Sequence, residues 1–326
     1  MRYSPELDGL RAIAAALVLL FHSQVPGANA GFLGVDIFFV LSGFLITRLL
    51  IDEGERYGSI DYIRFSMRRL TRLYPALLFF LAGYLLTAVY LFSSKPLIDH
   101  LQHALIAAVY MADYYQAFIS NIAYISHTWT LGVEEKFYLV WPIIISLLIK
   151  IERRTACSIL AICFITATGW RAINVTEAND FLNFYYRFDT HFTGLILGSL
   201  CGMANLKLRS FCWVLGAVGL AITLYFANWK GVMTARIGFT TLELSTAILV
   251  CSRPAFLGFS VLPWLGKMSY GFYLWHYLFI QMGRELGLAW VETLFLSACG
   301  GLFFSVISYY YIEIWFRKSD NVRPSD

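Results

Sequence analysis

Leu10-Arg-Ala-Ile-Ala-Ala-Ala-Leu-Val-Leu-Leu-Phe-His22 is an almost wholly apolar stretch with one charge near its start and one imidazole at its end. It reads as a helix. Arg11 and His22 then lie eleven positions apart, roughly 16 Å along the axis, about half of a ~30 Å bilayer core. A titratable group held at membrane depth points to function by default.

Composition sets the class of the whole chain. Of its 326 residues, 59% are hydrophobic and only 14% charged, far from a soluble domain. The long apolar runs lack a period-2 alternation, so helices are expected rather than a membrane barrel. Cys157, Cys163, Cys201, Cys212, Cys251 and Cys299 all lie in or beside apolar runs, without the spacing of a zinc site. They read as small buried hydrophobes, and no metal is expected. The first helix has no small-residue cleavage motif and reads as an uncleaved membrane span.

Hydropathy predicts an all-α polytopic membrane protein of about ten spans, near 10–25, 32–51, 73–93, 130–151, 155–173, 187–204, 211–227, 233–251, 264–283 and 290–314. With the N-terminus inside, 18 of the 25 lysines and arginines fall on the cytoplasmic side, among them Arg2, Arg56, Arg64, Arg68, Arg69, Arg72, Arg317, Lys318 and Arg323. That bias puts both termini in the cytoplasm. The basic residues are spread among short loops, which argues against a nucleic-acid partner. Residues 97–119 are apolar enough to enter the membrane, yet Asp99, His100, His103 and Asp113 argue against a free span. They read as an outer-side interfacial or re-entrant helix. Residues 52–72 read as the one substantial cytoplasmic loop. The absence of a linker or appended soluble region makes 1–326 a single membrane domain.

Placed by depth, the ionisable residues gather on the outer side. His22 ends the first span and Asp36 opens the second. Glu134 and Glu135 open the fourth, Arg187, Asp189 and His191 the sixth, and His276 lies in the outer half of the ninth. An imidazole beside a carboxylate is oriented and made basic enough to take a proton from a hydroxyl, so His22 with Asp36 or Glu134 is a candidate catalytic group. Simpler readings stand beside this one. Asp36, Arg187 and Asp189 could pair with one another at helix ends, Glu135 could pair with Lys136 at the rim, and His276 with Tyr273, Trp275 and Tyr277 fits an interfacial aromatic belt. On the cytoplasmic side Arg64, Arg68, Arg69 and Arg72 precede Tyr74-Pro75, and at i,i+3 and i,i+4 spacing three guanidinium groups crowd one helix face. Such forks suit phosphate, although positive-inside topology or lipid head groups account for them equally.

Five stretches, in this order and spacing, resemble the acyltransferase type 3 family of membrane O-acyltransferases. They are Glu6-Leu-Asp-Gly-Leu-Arg-Ala-Ile-Ala-Ala through His22, Gly34-Val-Asp-Ile-Phe-Phe-Val-Leu-Ser-Gly-Phe-Leu-Ile-Thr, Arg68-Arg-Leu-Thr-Arg-Leu-Tyr-Pro, His127-Thr-Trp-Thr-Leu-Gly-Val-Glu-Glu-Lys-Phe-Tyr-Leu-Val-Trp-Pro, and Leu265-Gly-Lys-Met-Ser-Tyr-Gly-Phe-Tyr-Leu-Trp-His. The resemblance implies transfer of an acyl group, usually acetyl, from cytoplasmic acyl-CoA to a hydroxyl of an extracytoplasmic polysaccharide or lipid-linked glycan, in a bacterial cytoplasmic (inner) membrane. By it, His22 looks like the catalytic histidine, Glu134 matches the family's acidic residue, and Arg11, Arg69 and Arg72 look like coenzyme A contacts. Depth and charge add Asp36 beside His22, Arg68 to the phosphate contacts, and Arg187, Asp189, His276, Tyr273 and Trp129 as residues expected to bind substrate or support the site. Gly132 departs from the family pattern, where Ser is common. No hydrolase-like domain is fused, so a second transfer step is expected to need a separate protein.

Two mechanisms remain open for His22, deprotonation of the acceptor and formation of an acyl-histidine. A transporter with a proton or substrate relay is the rival class. Against it, no pair of Gly- or Pro-broken midplane helices stands out. A homo-oligomer is left open.

Overall fold

The computed structural model describes residues 3–92, 94–175 and 181–316. Every regular element among them is helical. Arg2, Arg317, Lys318 and Arg323, which carry part of the charge bias, lie outside the described residues.

Helix α1 (Pro5–His22) begins five residues before the expected span. Pro5 sits in the first turn with Glu6 and Asp8, and His22 in the last, the charge order a helix dipole favours. Helix α2 (Gly34–Tyr57) ends on Gly58, whose φ of 74° stops it in a left-handed turn. Helix α3 (Tyr62–Tyr90) starts at once, because the Asp61 carboxylate accepts from the Arg64 N–H at 2.9 Å. The expected loop 52–72 is therefore wrong. The gap is only 58–61, and the arginines ride on the first turns of α3.

Helices α4 (Leu97–Ala108) and α5 (Ala112–Phe118) occupy the doubtful stretch. Neither is long enough to cross, the longer reaching roughly 18 Å. Their His100, His103, Asp113 and Gln116 side chains are buried, while Gln102 is exposed. His100 Nδ1 lies 2.7 Å from the Tyr84 hydroxyl on α3, and Lys136 Nζ donates to both oxygens of Asp113 at 2.8 and 2.9 Å. Lys136 thus pairs with Asp113 and not with Glu135. Lys136 sits on α6 (Trp129–Leu148), which is followed by α7 (Arg153–Asn174). Helix α8 (Phe181–Tyr186) precedes the expected sixth span, which is broken into α9 (Phe188–His191) and α10 (Thr193–Ala204). Then come α11 (Trp213–Phe226), α12 (Phe239–Ser252), α13 (Val261–Lys267), α14 (Ser269–Glu285) and α15 (Trp290–Ile307).

The chain is an all-α membrane protein. Among the described residues, four helical stretches are long and apolar enough to cross a bilayer, at Gly31–Tyr57, Tyr62–Tyr90, Arg153–Asn174 and Trp290–Phe316. The other expected spans fall on shorter or less apolar helices. Peripheral helices carry exposed Ile162, Ile165, Leu215, Ile222, Phe295 and Phe303 outward, as lipid contact requires. Cys163 and Cys299 share that outer face, while Cys201 and Cys251 are buried.

Two apolar cores form, one centred on α2 and one joining α3, α4 and α14. In the first, α2 and α10 pack most closely. Gly194, Gly198 and Gly202 recur every fourth residue along α10 and lie against Phe39, Val40 and Phe44, the small-residue spacing that lets membrane helices approach. A Cβ on Gly198 would stand 2.0 Å from the Val40 carbonyl oxygen. Gly198→Ala is therefore expected to destabilise by about 1–3 kcal/mol, whereas Gly169→Ala, mid-helix with open space around it, is expected to be neutral or stabilising by up to about 1 kcal/mol. Thermal unfolding of the two variants in detergent checks the contrast.

Candidate active site

Helix α1 borders a cavity at each end. The one at its N-terminal end has a volume of about 540 Å³ and takes Arg11 from α1, Ser42 and Leu45 from α2, Arg64, Arg68, Arg69 and Arg72 from α3, and Glu134 and Tyr138 from α6. Basic side chains outnumber acidic ones in its lining. Arg11, Arg56, Arg64, Arg68, Arg69, Arg72 and Lys267 make seven, against five from Asp8, Asp52, Glu53, Glu134 and Glu313. Arg11 is spoken for by Asp8 at 3.4 Å. Arg64, Arg68, Arg69 and Arg72 form no ion pair among the described residues. The Arg69 guanidinium lies over the Phe65 and Tyr138 rings at 5.6 and 5.5 Å, which fixes its plane while leaving its N–H groups free for an anion.

The cavity at the other end has a volume of about 430 Å³ and holds His22, His127, Trp129, Tyr185, Trp229 and Tyr277. His22 Nδ1 lies 3.0 Å from His276 Nε2, and His276 Nδ1 lies 3.1 Å from the Phe272 carbonyl oxygen. A carbonyl only accepts, so His276 Nδ1 carries a hydrogen. With a neutral His276, Nε2 is then a lone pair and His22 Nδ1 must donate to it. That leaves the His22 Nε2 lone pair unprotonated. Arg284 donates to the His22 carbonyl at 2.9 Å and closes the C-terminus of α1. Val35 and Tyr273 line both cavities, so the two spaces adjoin.

Asp36 and Glu134 are not where the sequence reading put them. Asp36 follows Val35 on α2, about 100° further round the helix, and is fully buried with Oδ1 3.0 Å from His191 Nε2. His191 Nδ1 in turn donates to the Tyr185 carbonyl at 2.7 Å. Glu134 lies in the arginine cavity with Arg11 and Arg69. The partner of His22 is an imidazole. His276 meets His22 and is 1% exposed, which does not fit an interfacial belt. Trp129 and Tyr273 line the histidine cavity. Arg187 and Asp189 form an ion pair, joined by Trp170 Nε1 at 2.8 Å, and belong to the lining of neither cavity. They tie α9 to α7.

Gly132 also has a local explanation. A Cβ there would stand 2.7 Å from both Asp113 Oδ1 and the Tyr110 carbonyl oxygen. The glycine lets α5 lie against α6 where Lys136 meets Asp113.

A model of an acyltransferase domain matches residues 4–313. The chain belongs to that acyltransferase family. Among similar proteins is the O-acetyltransferase OatA of Staphylococcus aureus strain NCTC 8325 / PS 47, 31% identical over 350 residues, covering 97% of this chain and 58% of the relative. A second S. aureus protein, SAS0844 of strain MSSA476, is 31% identical over 370 residues, covering 100% of this chain and 60% of its own. The chain thus spans about six tenths of the length of these curated relatives. No solved structure is significantly similar.

The hydrogen-bond directions make a spectroscopic prediction. In 15N spectra of histidine-labelled protein, His22 is expected as the Nδ1–H tautomer with a bare Nε2. His276→Ala, which removes the acceptor of that hydrogen bond, is expected to return His22 to a tautomer mixture.

Proposed function

We propose that this chain is a membrane O-acyltransferase that moves an acyl group, acetyl first among candidates, from cytoplasmic acyl-CoA to a hydroxyl of an extracytoplasmic glycan. The observation that carries the reading is the junction at Val35 and Tyr273, which brings an arginine-lined space and a histidine-lined space together along one helix. The names of the relatives support the acetyl group.

In this reading the phosphates of the donor lie on Arg64, Arg68, Arg69 and Arg72, whose unpaired guanidinium groups suit them. Arg11, on α1, lines the same cavity. The pantetheine arm follows α1 towards His22, a distance of roughly 16 Å. Glu134 shares the donor cavity with Arg11 and Arg69 rather than orienting His22. The acceptor enters the second cavity, whose wall includes the aromatic side chains of Trp129, Trp229 and Tyr185.

His22 Nε2 takes the proton of the acceptor hydroxyl while its oxygen attacks the thioester carbonyl. The new C–O bond forms, the C–S bond breaks, and the proton passes from His22 to the departing thiolate. His276 accepts from Nδ1–H throughout, steadying the imidazolium that forms. An acyl-histidine route starts from the same lone pair. Asp36 and His191 act at one remove, joining α2 to the segment that leads into α10.

Coenzyme A at a hundredfold its Kd is expected to stabilise the purified protein by about 2.7 kcal/mol. Arg69→Ala is expected to weaken that binding by about 10- to 100-fold, the range of a charge-assisted hydrogen bond. His22→Ala should keep the thermal shift and lose the ester on surface glycans, read by mass spectrometry at wild-type expression. Normal acylation in His22→Ala cells removes His22 from the reaction, and no shift at saturating coenzyme A returns the transporter reading to the front.

A further inference from the structure

The histidine cavity holds a second basic nitrogen that the transfer step leaves unused. His127 lies in the turn Ala123–Thr128 before α6, lines the cavity beside His22, and is only 3% exposed. Its Nε2 is 3.1 Å from the Leu274 carbonyl oxygen. That oxygen only accepts, so Nε2 carries the hydrogen and Nδ1 of the neutral ring is a lone pair. Nδ1 is buried and has no hydrogen-bond partner among the described residues. Buried polar atoms are nearly always satisfied, and of the described buried side-chain atoms without a partner, His127 Nδ1 is the one whose residue lines this cavity.

The ring is held firmly. Phe80 meets it edge-on with centroids 5.5 Å apart, and Tyr277 lies 4.7 Å away. Tyr277 also lies 4.8 Å from His22. Two imidazoles therefore flank one tyrosine ring, and each has one nitrogen fixed as a donor, His22 to His276 and His127 to Leu274. Each keeps one lone pair to offer.

We infer that His127 is a positioning residue for the acceptor: its Nδ1 takes a hydrogen bond from a second hydrogen-bond donor of the glycan, next to the hydroxyl that His22 deprotonates. This rests on the acyl-transfer reading and deepens it. A sugar ring presents such neighbouring donors at fixed spacing, so two lone pairs in one cavity select both the ring face and which hydroxyl reaches His22. An acceptor with an isolated hydroxyl satisfies only one of them, and a site built around a hydrogen bond discriminates strongly against a ligand that lacks it.

The two nitrogens can be tested apart. In His127→Gln the amide nitrogen takes the place of Nε2 and keeps the tie to Leu274, while the acceptor at Nδ1 is lost. In His127→Asn the amide oxygen takes the place of Nδ1, and the tie to Leu274 is lost. Membranes from cells carrying the wild type or a variant, with their own glycan, are given radiolabelled acetyl-CoA, and label in the glycan is followed against donor concentration at matched protein amount. His127→Gln is expected to lose about tenfold or more in rate at saturating donor, and His127→Asn to stay within about threefold of wild type. The KM for acetyl-CoA should hold in both. His127→Gln at the wild-type rate overturns the inference, as does His127→Asn falling as far as His127→Gln or a loss in either variant that lies in the donor KM. No label with the wild type, or label that survives His22→Ala, removes the acyl-transfer reading itself. A His22-dependent label that His127→Gln leaves intact removes only the role of His127.

Discussion

Burial of α1 along most of its length is the constraint on which the other features of the site depend. A helix that must show Arg11 to one cavity and His22 to another needs its neighbours pressed close between those points. Gly34 provides this on α2, where a Cβ would stand 2.5 Å from the Ala14 carbonyl oxygen. Gly266 does the same at the other end, where a Cβ would meet the Asp8 carbonyl oxygen at 1.8 Å. With both contacts in place, a rigid rod of fixed rise sets the separation of the two groups. No loop intervenes to blur it.

Around that rod the polar groups sort by what they can pair with. Buried charges are held in ion pairs, even though Arg171 Nε, Glu243 Oε2 and Asp36 Oδ2 have no hydrogen-bond partner among the described residues. Arg171 meets Glu243 at 3.1 Å and Thr193 at 2.6 Å between α7, α10 and α12, and Asp36 meets His191. Such pairs fix which helix faces which, since breaking one strands the other. The site groups differ in kind. Among the described residues, Arg64, Arg68, Arg69 and Arg72 form no ion pair and His127 Nδ1 has no hydrogen-bond partner. Unmet capacity in a cavity distinguishes groups awaiting a ligand from groups holding the fold.

The helical class, the membrane setting and the resemblance to the acyltransferase family were legible in apolar runs and in five ordered motifs. Some boundaries were legible too, yet misread. Gly58 and Asp61 are ordinary stop and start signals, and they turn the expected loop at 52–72 into two nearly abutting helices. Asp99, His100 and Asp113 lie on two helices, Leu97–Ala108 and Ala112–Phe118, each too short to cross a bilayer alone. Where those charges went depended on Tyr84 and Lys136, which the linear sequence cannot place beside them.

Sequence alone determined the spacing of Arg11 and His22, because residues on one helix have a fixed rise. It also determined the crowding of arginines on one face of α3, for the same reason. The partner of His22 was a different matter. Asp36 and Glu134 are nearest in chemistry, but helix rotation turns Asp36 towards His191, and Glu134 falls among the arginines. His276 lies 254 positions away from His22 and meets it at 3.0 Å. Which nitrogen is protonated then follows from one carbonyl, that of Phe272, on the preceding turn. Contacts between helices depend on rotation and tilt about each axis, and those are fixed only when all the helices pack together.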